Sequence, residues 1–488
     1  MKIMIAYPPL QNDKGVPLLS QNRQFQYFKE PTYIYPVVPA QAATLLKAAG
    51  HDVVWLDAIA SGLSYEDFLE KVKIEKPDVI AMETKTPVVK QHWDIISGLK
   101  MLPGGKDLRV VLFGDHVTAL PKESFEESKV DYILTGGDYD FLLLNLVDSL
   151  SRQKGAEALE PGIWFRQNGQ IMNTGVFKLD HNLSSAPLID RELTQWQRYA
   201  HKNGNFKKTP GAYIMSGRDC WWGKCTFCSW PTLYPEFRSR TPEHVLDEVE
   251  LLVEKFGIQE IMDDTGSFPI GEWLETFCRG MIDRGLNKKV ILDCNMRFGC
   301  LSEAQYALMK KAGFRLVLFG LESAHEESLV KLRKNTTVPE IIKSCKMARA
   351  AGLYPHITIM FGYPWETYED TKETLKLGQW LLKKGYAYTV QATVVIPYPG
   401  SKLFADCQKD GLLKTLDWNE YDMKRPIMKS SIEDAVMLGL VQEIYKVAFN
   451  PEFIIRRILS VRSLSDLTYF KRGVKKVFGH IFDFQKRS

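Results

Sequence analysis

No cysteine precedes Cys220 in this chain of 488 residues, and five of its eight cysteines (Cys278, Cys294, Cys300, Cys345 and Cys407) are scattered without paired spacing. That pattern excludes a disulfide framework and points to a reducing, cytoplasmic setting. Long apolar runs are also missing. The longest candidate, 385–401, is broken by Gly385, Pro397, Pro399 and Gly400, so no membrane-spanning helix is expected. The apolar run in the opening MKIMIAYPPL is too short for a signal peptide and reads as a first buried strand. No G-x-G-x-x-G follows it, which argues against an ordinary dinucleotide site. Excess charge is missing from the body of the chain. Residues 451–488 hold nine Lys/Arg and three Asp/Glu, a net of +6, so the remainder sums to −2 within a total of +4. A nucleic-acid-binding surface is therefore not indicated.

What is present is concentrated in one run, GRDCWWGKCTFCSW, with Cys220, Cys225 and Cys228 within nine residues. Three thiolates so close can hold three irons of an iron–sulfur cluster and leave the fourth iron open for chemistry. A structural zinc site is the other reading, but it wants a fourth ligand, and no second Cys/His pair follows at ordered spacing. Chance spacing is the remaining alternative.

The chain length predicts two or three domains. Residues 1–150 alternate strand-like runs (KIMIAYP, DVVWLDA, DVIAMET, RVVLFGD, DYILTGG) with helical stretches at 39–49, 64–75 and 139–152. That alternation predicts a doubly wound parallel sheet, with ligands at the C-terminal strand ends. The strand-end loops are Tyr7-Pro8-Pro9, Glu83-Thr84-Lys85-Thr86, Gly114-Asp115-His116-Val117-Thr118 and Gly136-Gly137-Asp138. They read as either a binding rim or short connecting turns. Residues 151–208 read as a connector with a β-hairpin turning at Asn168-Gly169. In 209–405 six further strand candidates (211–217, 258–263, 289–296, 315–321, 355–361 and 389–396) alternate with helices, which predicts a partial (β/α)6 barrel with its site at the C-terminal rim. The cysteine run directly follows the first of these strands. Residues 406–488 read as a helical, basic C-terminal region. It is either a cap on the barrel or a surface for peripheral contact with an anionic membrane or an acidic partner.

The cysteine run followed by this barrel resembles the radical S-adenosylmethionine (SAM) superfamily, and residues 1–150 resemble the cobalamin-binding domain that precedes the barrel in one branch of it. The likeness covers about residues 1–405. It rests on GDHVTALPKE (114–123) and LTGGDYDF in the first domain, and on MDDTGSF (262–268), CNMRFG (294–299), FGLES (319–323), MFGYPWET (360–367) and PYPGS (397–401) in the barrel. Two features depart from the family pattern. Four residues, not three, separate Cys220 from Cys225, and Trp365 stands where Gly is usual. No His lies two residues after an Asp, so the D-x-H-x-x-G motif that supplies a lower cobalt ligand elsewhere is missing.

The resemblance implies a [4Fe–4S] cluster on Cys220, Cys225 and Cys228, with SAM on its open iron. One-electron cleavage of SAM to a 5′-deoxyadenosyl radical follows, with hydrogen abstraction from an inert carbon. It implies SAM contacts from Asp263, Asp264, Thr265, Arg297 and Glu322. It implies cobalamin contacts from Tyr7, Pro8, Thr84, Thr86, Gly114, His116, Thr118, Gly136, Gly137 and Asp138, with His116 structural or touching the cobalamin tail rather than cobalt. Methyl transfer to an unactivated carbon is the expected chemistry. Cyclisation or another non-methylating carbon transformation, and a cobalamin sensor or carrier without catalysis, are the alternatives. A methylthiotransferase would need cysteines before Cys220. The implied partners are a flavodoxin or ferredoxin as electron donor and a small-molecule or lipid-like substrate. Trp221, Trp222, Trp230 and Trp365 near the rim hint at an apolar one.

Overall fold

The computed structural model describes residues 1–10, 14–17, 27–28, 32–201, 203 and 206–460. Its first sheet begins with β1 (Lys2–Tyr7), β2 (Asp52–Asp57), β3 (Val79–Glu83), β4 (Arg109–Phe113) and β5 (Tyr132–Leu134), all parallel. The runs Ile3–Ala6, Val79–Met82 and Val110–Phe113 are fully buried, because helices cover both faces of the sheet. That is why these strands read as unbroken apolar stretches. Strand order is β2-β1-β3-β4-β5, so the direction of winding reverses between β1 and β3. The crevice outside the C-terminal ends at such a reversal is where open α/β sheets bind ligands. The hairpin forms as expected. Its strands β6 (Ile163–Gln167) and β7 (Gln170–Asn173) flank Asn168 and Gly169, both at positive φ (51° and 78°). It is not a free-standing connector: β6 pairs antiparallel with β5 and extends the first sheet to seven strands.

The second sheet contains β8 (Gly211–Ile214), β9 (Glu260–Asp263), β10 (Ile291–Met296), β11 (Phe314–Glu322), β12 (Tyr354–Phe361) and β13 (Thr389–Val394). They pair in sequence order, all parallel, and the sheet stays open between β8 and β13. All six strands lie where the sequence predicts them. Helices return the chain between strands, and side-chain caps start several of them. Ser302 with Gln305, Thr337 with Glu340 and Thr367 with Asp370 each form a reciprocal capping box. The open edge at β13 is protected by Tyr445, whose hydroxyl accepts from the Ala392 N–H at 3.0 Å.

The two sheets are not independent lobes. A small apolar cluster takes Val89 and Trp93 from the first domain, Ile396 and Tyr398 from beyond β13, and Trp418 and Tyr421 from the C-terminal region. Lys90 pairs with Asp417 at 2.8 Å across the same junction. The C-terminal region up to Ser460 ends in helices Asp434–Glu443 and Pro451–Leu459, and residues 461–488 of the predicted basic tail lie outside the described residues. Among the described residues no helix is long and apolar enough to cross a membrane.

A charged network joins the sheets directly. Asp138, in the loop after β5, accepts from Arg218 at 3.1 Å, from Arg238 at 2.5 Å and from His181 Nδ1 at 3.0 Å. His181 Nε2 donates to Glu160 at 3.0 Å. With both ring nitrogens donating to carboxylates, His181 is an imidazolium; these two partners overcome the cost of its burial and hold its pKa up at about 9. An unfolded histidine titrates near pH ~6.5. The stabilisation is therefore complete below that pH and lost as pH rises through about 9. In urea unfolding between pH 6.5 and 9 we expect stability to fall, and to fall measurably less in His181→Gln. Parallel slopes for the two proteins would refute the assignment.

Candidate functional site

The cysteine loop leaves β8 at the C-terminal rim of the half-barrel and is tied at every few residues. Asp263, at the end of β9, is buried and accepts from the Ser216 N–H at 3.2 Å and the Thr265 N–H at 2.9 Å; the Ser216 hydroxyl also donates to it. Thr265 Oγ1 accepts from the Gly217 N–H at 3.0 Å, and Asp219 Oδ1 from the Gly266 N–H at 2.7 Å. The acidic turn MDDTGSF thus stitches itself to the segment just before Cys220. Burial raises the pKa of Asp263, with these donors opposing the shift. Of the predicted SAM contacts, Asp263 and Thr265 therefore direct their side chains to the loop, while Asp264 lies beside them, its N–H bonded to Ile214 O at 2.9 Å.

Beyond Cys220 the loop is anchored both to that turn and to the segment at Leu332 and Arg333. Trp221 Nε1 donates to Phe268 O at 3.2 Å and Trp222 Nε1 to Arg333 O at 2.8 Å. Thr226 N–H donates to Leu332 O at 3.1 Å, and Leu403 N–H to Thr226 O at 2.8 Å. Gly223 turns at φ 59° between the two tryptophan anchors and Cys225.

Arg297 and Glu322 come together beside Cys225. The Arg297 guanidinium lies over the Trp222 ring at 4.2 Å and donates to Lys334 O. Lys334 Nζ reaches Glu322 Oε1 at 3.4 Å, with both side chains buried. Burial raises the Glu322 pKa, and Lys334 opposes that shift. Burial pushes the Cys225 thiol up, against the pull of Lys334 and Arg297. Glu322 adopts φ 64° at an irregularity in β11, a left-handed conformation that costs a non-glycine residue about 1–3 kcal/mol and clusters at functional sites. Its placement needs Gly320, because a Cβ there would meet the Glu322 carboxylate at 2.2 Å. Trp365, in its unusual position, packs against the rim: its indole donates to Ser328 Oγ at 2.9 Å. Among the described residues no three His, Cys, Asp or Glu converge closely enough to hold one metal ion. A four-iron cluster asks for wider spacing, each thiolate on its own iron.

The predicted cobalamin residues all lie at the C-terminal edge of the first sheet, but most of their side chains are bonded to other groups of the protein. Tyr7 donates to Glu83 at 2.6 Å across the winding reversal. Thr84 meets His92 Nδ1 at 3.0 Å, and Thr86 meets His116 Nδ1 at 3.1 Å. His116 is fully buried, and its Nε2 donates to Glu123 at 3.0 Å. Glu123 also accepts from Trp418 Nε1 at 2.8 Å. Thr118 Oγ1 donates to Gly114 O at 2.7 Å and accepts from the Gly136 N–H at 3.1 Å. Gly137 sits against Tyr234, where a Cβ would meet the ring at 1.9 Å, and Pro8 is buried. Asp138 belongs to the charged network. Two buried polar atoms on this side lack a partner among the described residues, His92 Nε2 and Thr232 Oγ1.

Sequence reasoning missed Arg218, Lys334, Ser267 and Tyr363. Arg218 grips Asp140 with two bonds, at 2.8 and 2.6 Å, and stands two residues before Cys220. No spacing signal marks it, since its partners are some eighty positions away.

The Radical SAM superfamily model matches residues 214–378, the segment from the end of β8 into the helix before β13. An uncharacterized methyltransferase of Pyrococcus horikoshii is 27% identical over 382 residues, 78% of this chain and 80% of the relative. The anaerobic magnesium-protoporphyrin IX monomethyl ester cyclase of Cereibacter sphaeroides is 27% identical over 80% of this chain; the match spans 63% of the cyclase, less than two thirds of it. Among solved structures, the radical S-adenosylmethionine methyltransferase TsrM from Kitasatospora setae, with cobalamin and a [4Fe–4S] cluster bound, superposes with a TM-score of 0.65 at 16% identity, over 84% of this chain and 78% of that one. That likeness is one of fold.

Arg218 tests how the cysteine loop is held. Removing one partner of a buried pair leaves a stranded charge, at a cost of about 3–5 kcal/mol. Arg218→Met should lower unfolding stability by that amount in urea titration; a change below about 1 kcal/mol would show that the pair is not what anchors the loop.

Proposed function

We propose, for a chain whose residues 214–378 make it a radical SAM enzyme, that Cys220, Cys225 and Cys228 hold a [4Fe–4S] cluster with SAM beside it. We propose further that cobalamin lies between the two sheet ends, and that the reaction transfers a methyl group to an unactivated carbon of a small or lipid-like molecule. The observation that carries this reading is positional. Three thiols share one loop at the rim of a parallel half-barrel, and that loop is tied through Arg218 to the ligand-binding edge of a β2-β1-β3-β4-β5 sheet.

The residues fit these groups. Burial pushes the Cys225 thiol up, and two cations, the buried Lys334 and the half-buried Arg297, oppose that push. The unpartnered His92 Nε2 and Thr232 Oγ1 suit a polar ligand at the first sheet's edge. When bound, cluster and SAM supply a 5′-deoxyadenosyl radical, and cobalamin supplies the methyl group. The protein's own part is positioning. Arg297, stacked on Trp222, offers its planar donors to the carboxylate of SAM, and Glu322 accepts from its hydroxyl or amino groups. Asp263 and Thr265 keep the rim turns locked, with Asp264 at the same edge. Trp221, Trp222 and Phe227 keep water from the reacting centre. A flavodoxin or ferredoxin delivers the electron.

Cyclisation is the second reading, and the similarity to a ring-forming cyclase favours it. We also assign helix Pro451–Leu459 to peripheral contact with an anionic membrane, where a lipid-like substrate would be found. Ile454, Ile455, Ile458 and Leu459 are exposed there beside Arg456 and Arg457.

The test is anaerobic reconstitution with iron, sulfide and hydroxocobalamin, then product analysis with SAM, a reductant and candidate substrates. We expect bound corrinoid near stoichiometry and both 5′-deoxyadenosine and S-adenosylhomocysteine. Deoxyadenosine alone favours the non-methylating reading. Cys225→Ala should lose iron and deoxyadenosine formation together; a variant that keeps both would overturn the cluster assignment. In vesicle co-sedimentation the protein should follow phosphatidylserine-containing vesicles and leave pure phosphatidylcholine in solution; no binding to either removes the membrane assignment.

A further inference from the structure

Three consecutive carbonyls hold the cysteine loop. Thr226 Oγ1 donates to Lys331 O at 3.1 Å, the Thr226 N–H to Leu332 O at 3.1 Å and Trp222 Nε1 to Arg333 O at 2.8 Å. Lys331 and Arg333 are thereby fixed beside the loop, and their side chains are exposed, as is that of Lys224 within it. Two half-buried indoles lie next to these cations. Lys224 Nζ is 5.1 Å from the centre of the Trp222 ring, and Lys331 Nζ is 5.5 Å from that of Trp365. Arg297 stacks on Trp222 as well, at 4.2 Å, and adds its charge to the same place.

Among the described residues Lys224, Lys331 and Arg333 form no ion pair. The carboxylates of this side are committed elsewhere. Glu322 pairs with Lys334 at 3.4 Å, Asp370 accepts from the Thr367 N–H at 2.9 Å and Glu340 from the Thr337 N–H at 2.9 Å. Glu327, one turn before Lys331 in the same helix, makes no ion pair with it. Like charges gathered on one face repel one another and favour an external partner of opposite sign. The position of the patch sets what that partner brings. It adjoins the loop that carries Cys220, Cys225 and Cys228, and electron transfer slows steeply with distance. Tryptophan and arginine side chains dominate binding at protein interfaces. Trp222 is ready for that role, its ring held by Arg297 and its N–H by Arg333 O.

We infer that Lys224, Lys331 and Arg333, grouped about Trp222 and Trp365, form the docking surface for a small acidic protein that carries a single electron. The inference rests on the cluster reading above and adds the place where the electron enters. In the transfer the carrier is oxidised by one electron and the cluster reduced by one; no atom changes hands. The encounter is weak, brief and salt-sensitive, as small charged electron-transfer interfaces are.

The experiment measures binding of oxidised flavodoxin to the reconstituted protein by surface plasmon resonance across a range of salt. We expect affinity to fall as salt rises. Lys224→Glu with Arg333→Glu should weaken it by about tenfold or more at low salt and flatten the salt dependence. Lys346→Glu with Lys384→Glu makes the same change of charge at the opposite, N-terminal end of the strands and should leave affinity unaltered. Iron and sulfide content, and reduction by photoexcited deazariboflavin, which has no protein surface, should match wild type in every variant. Reduction by flavodoxin hydroquinone should slow only in the rim variant. If Lys224→Glu disturbs cluster loading, Lys331→Glu with Arg333→Glu takes its place, since neither residue lies in the cysteine run. Rim charge reversal without effect, an equal effect of both double variants, or no binding of either flavodoxin or a [2Fe–2S] ferredoxin to the loaded wild type at low salt overturns the inference. A wild type that holds no cluster refutes instead the reading on which the inference stands, so the two failures are distinguishable.

Discussion

The arrangement depends on one buried guanidinium. Arg218 sits between the Asp138–Asp140 turn of the first sheet and Cys220, bonded to both carboxylates and almost wholly out of water. Desolvation offsets much of the attraction in such a group, so its net contribution to stability is smaller than its contacts suggest. What it imposes is geometry. A charge withdrawn from water accepts only positions where its counter-charges meet it, and here those positions belong to a different sheet. The cysteine loop is thereby registered against the C-terminal edge of the first sheet, with Arg238 and His181 completing the neutralisation of Asp138.

The same economy governs the rest of the rim. Loops carry backbone and side-chain polar groups that must be satisfied once buried. Asp263, Thr265, Thr86, Thr118 and His116 meet that requirement by bonding to neighbouring loops. Groups left over mark where a ligand has work to do. Lys334 and Arg297 converge on Cys225, Glu322 is held in a strained conformation beside them, and Tyr363, Ser267 and His92 keep unpartnered polar atoms. A site of this kind is legible as a residue of unmet bonding amid loops that otherwise satisfy themselves.

Much of the fold could be read in advance, because parallel strands covered on both faces are continuous apolar runs and the helices between them carry explicit caps. β1 to β5 and β8 to β13 fall on the predicted runs, and the Asn168-Gly169 turn marks its hairpin. The attachment of that hairpin to β5 could not be read, since pairing between segments some thirty residues apart leaves no local periodicity. In the site, motif residues were visible as chemistry but their roles were not. Asp263 looks like a ligand contact in the sequence, and in the structure it accepts from Ser216 and Thr265. Lys334 lies outside every motif, and Arg218, though inside the cysteine run, has its partners some eighty positions away.

The sequence by itself determined three things. Three cysteines fall within nine residues of one loop, the alternation of apolar runs and helices defines two parallel sheets, and the basic excess lies in residues 451–488. These are local, set by residue type and spacing, and need no partner from elsewhere in the chain. Tertiary structure alone decided which side chains hold the scaffold, because that depends on long-range pairs such as Arg218 with Asp140 and Asp263 with Ser216. Burial makes each of these choices: a polar group removed from water takes the nearest suitable partner, and only the folded chain determines which partner is near.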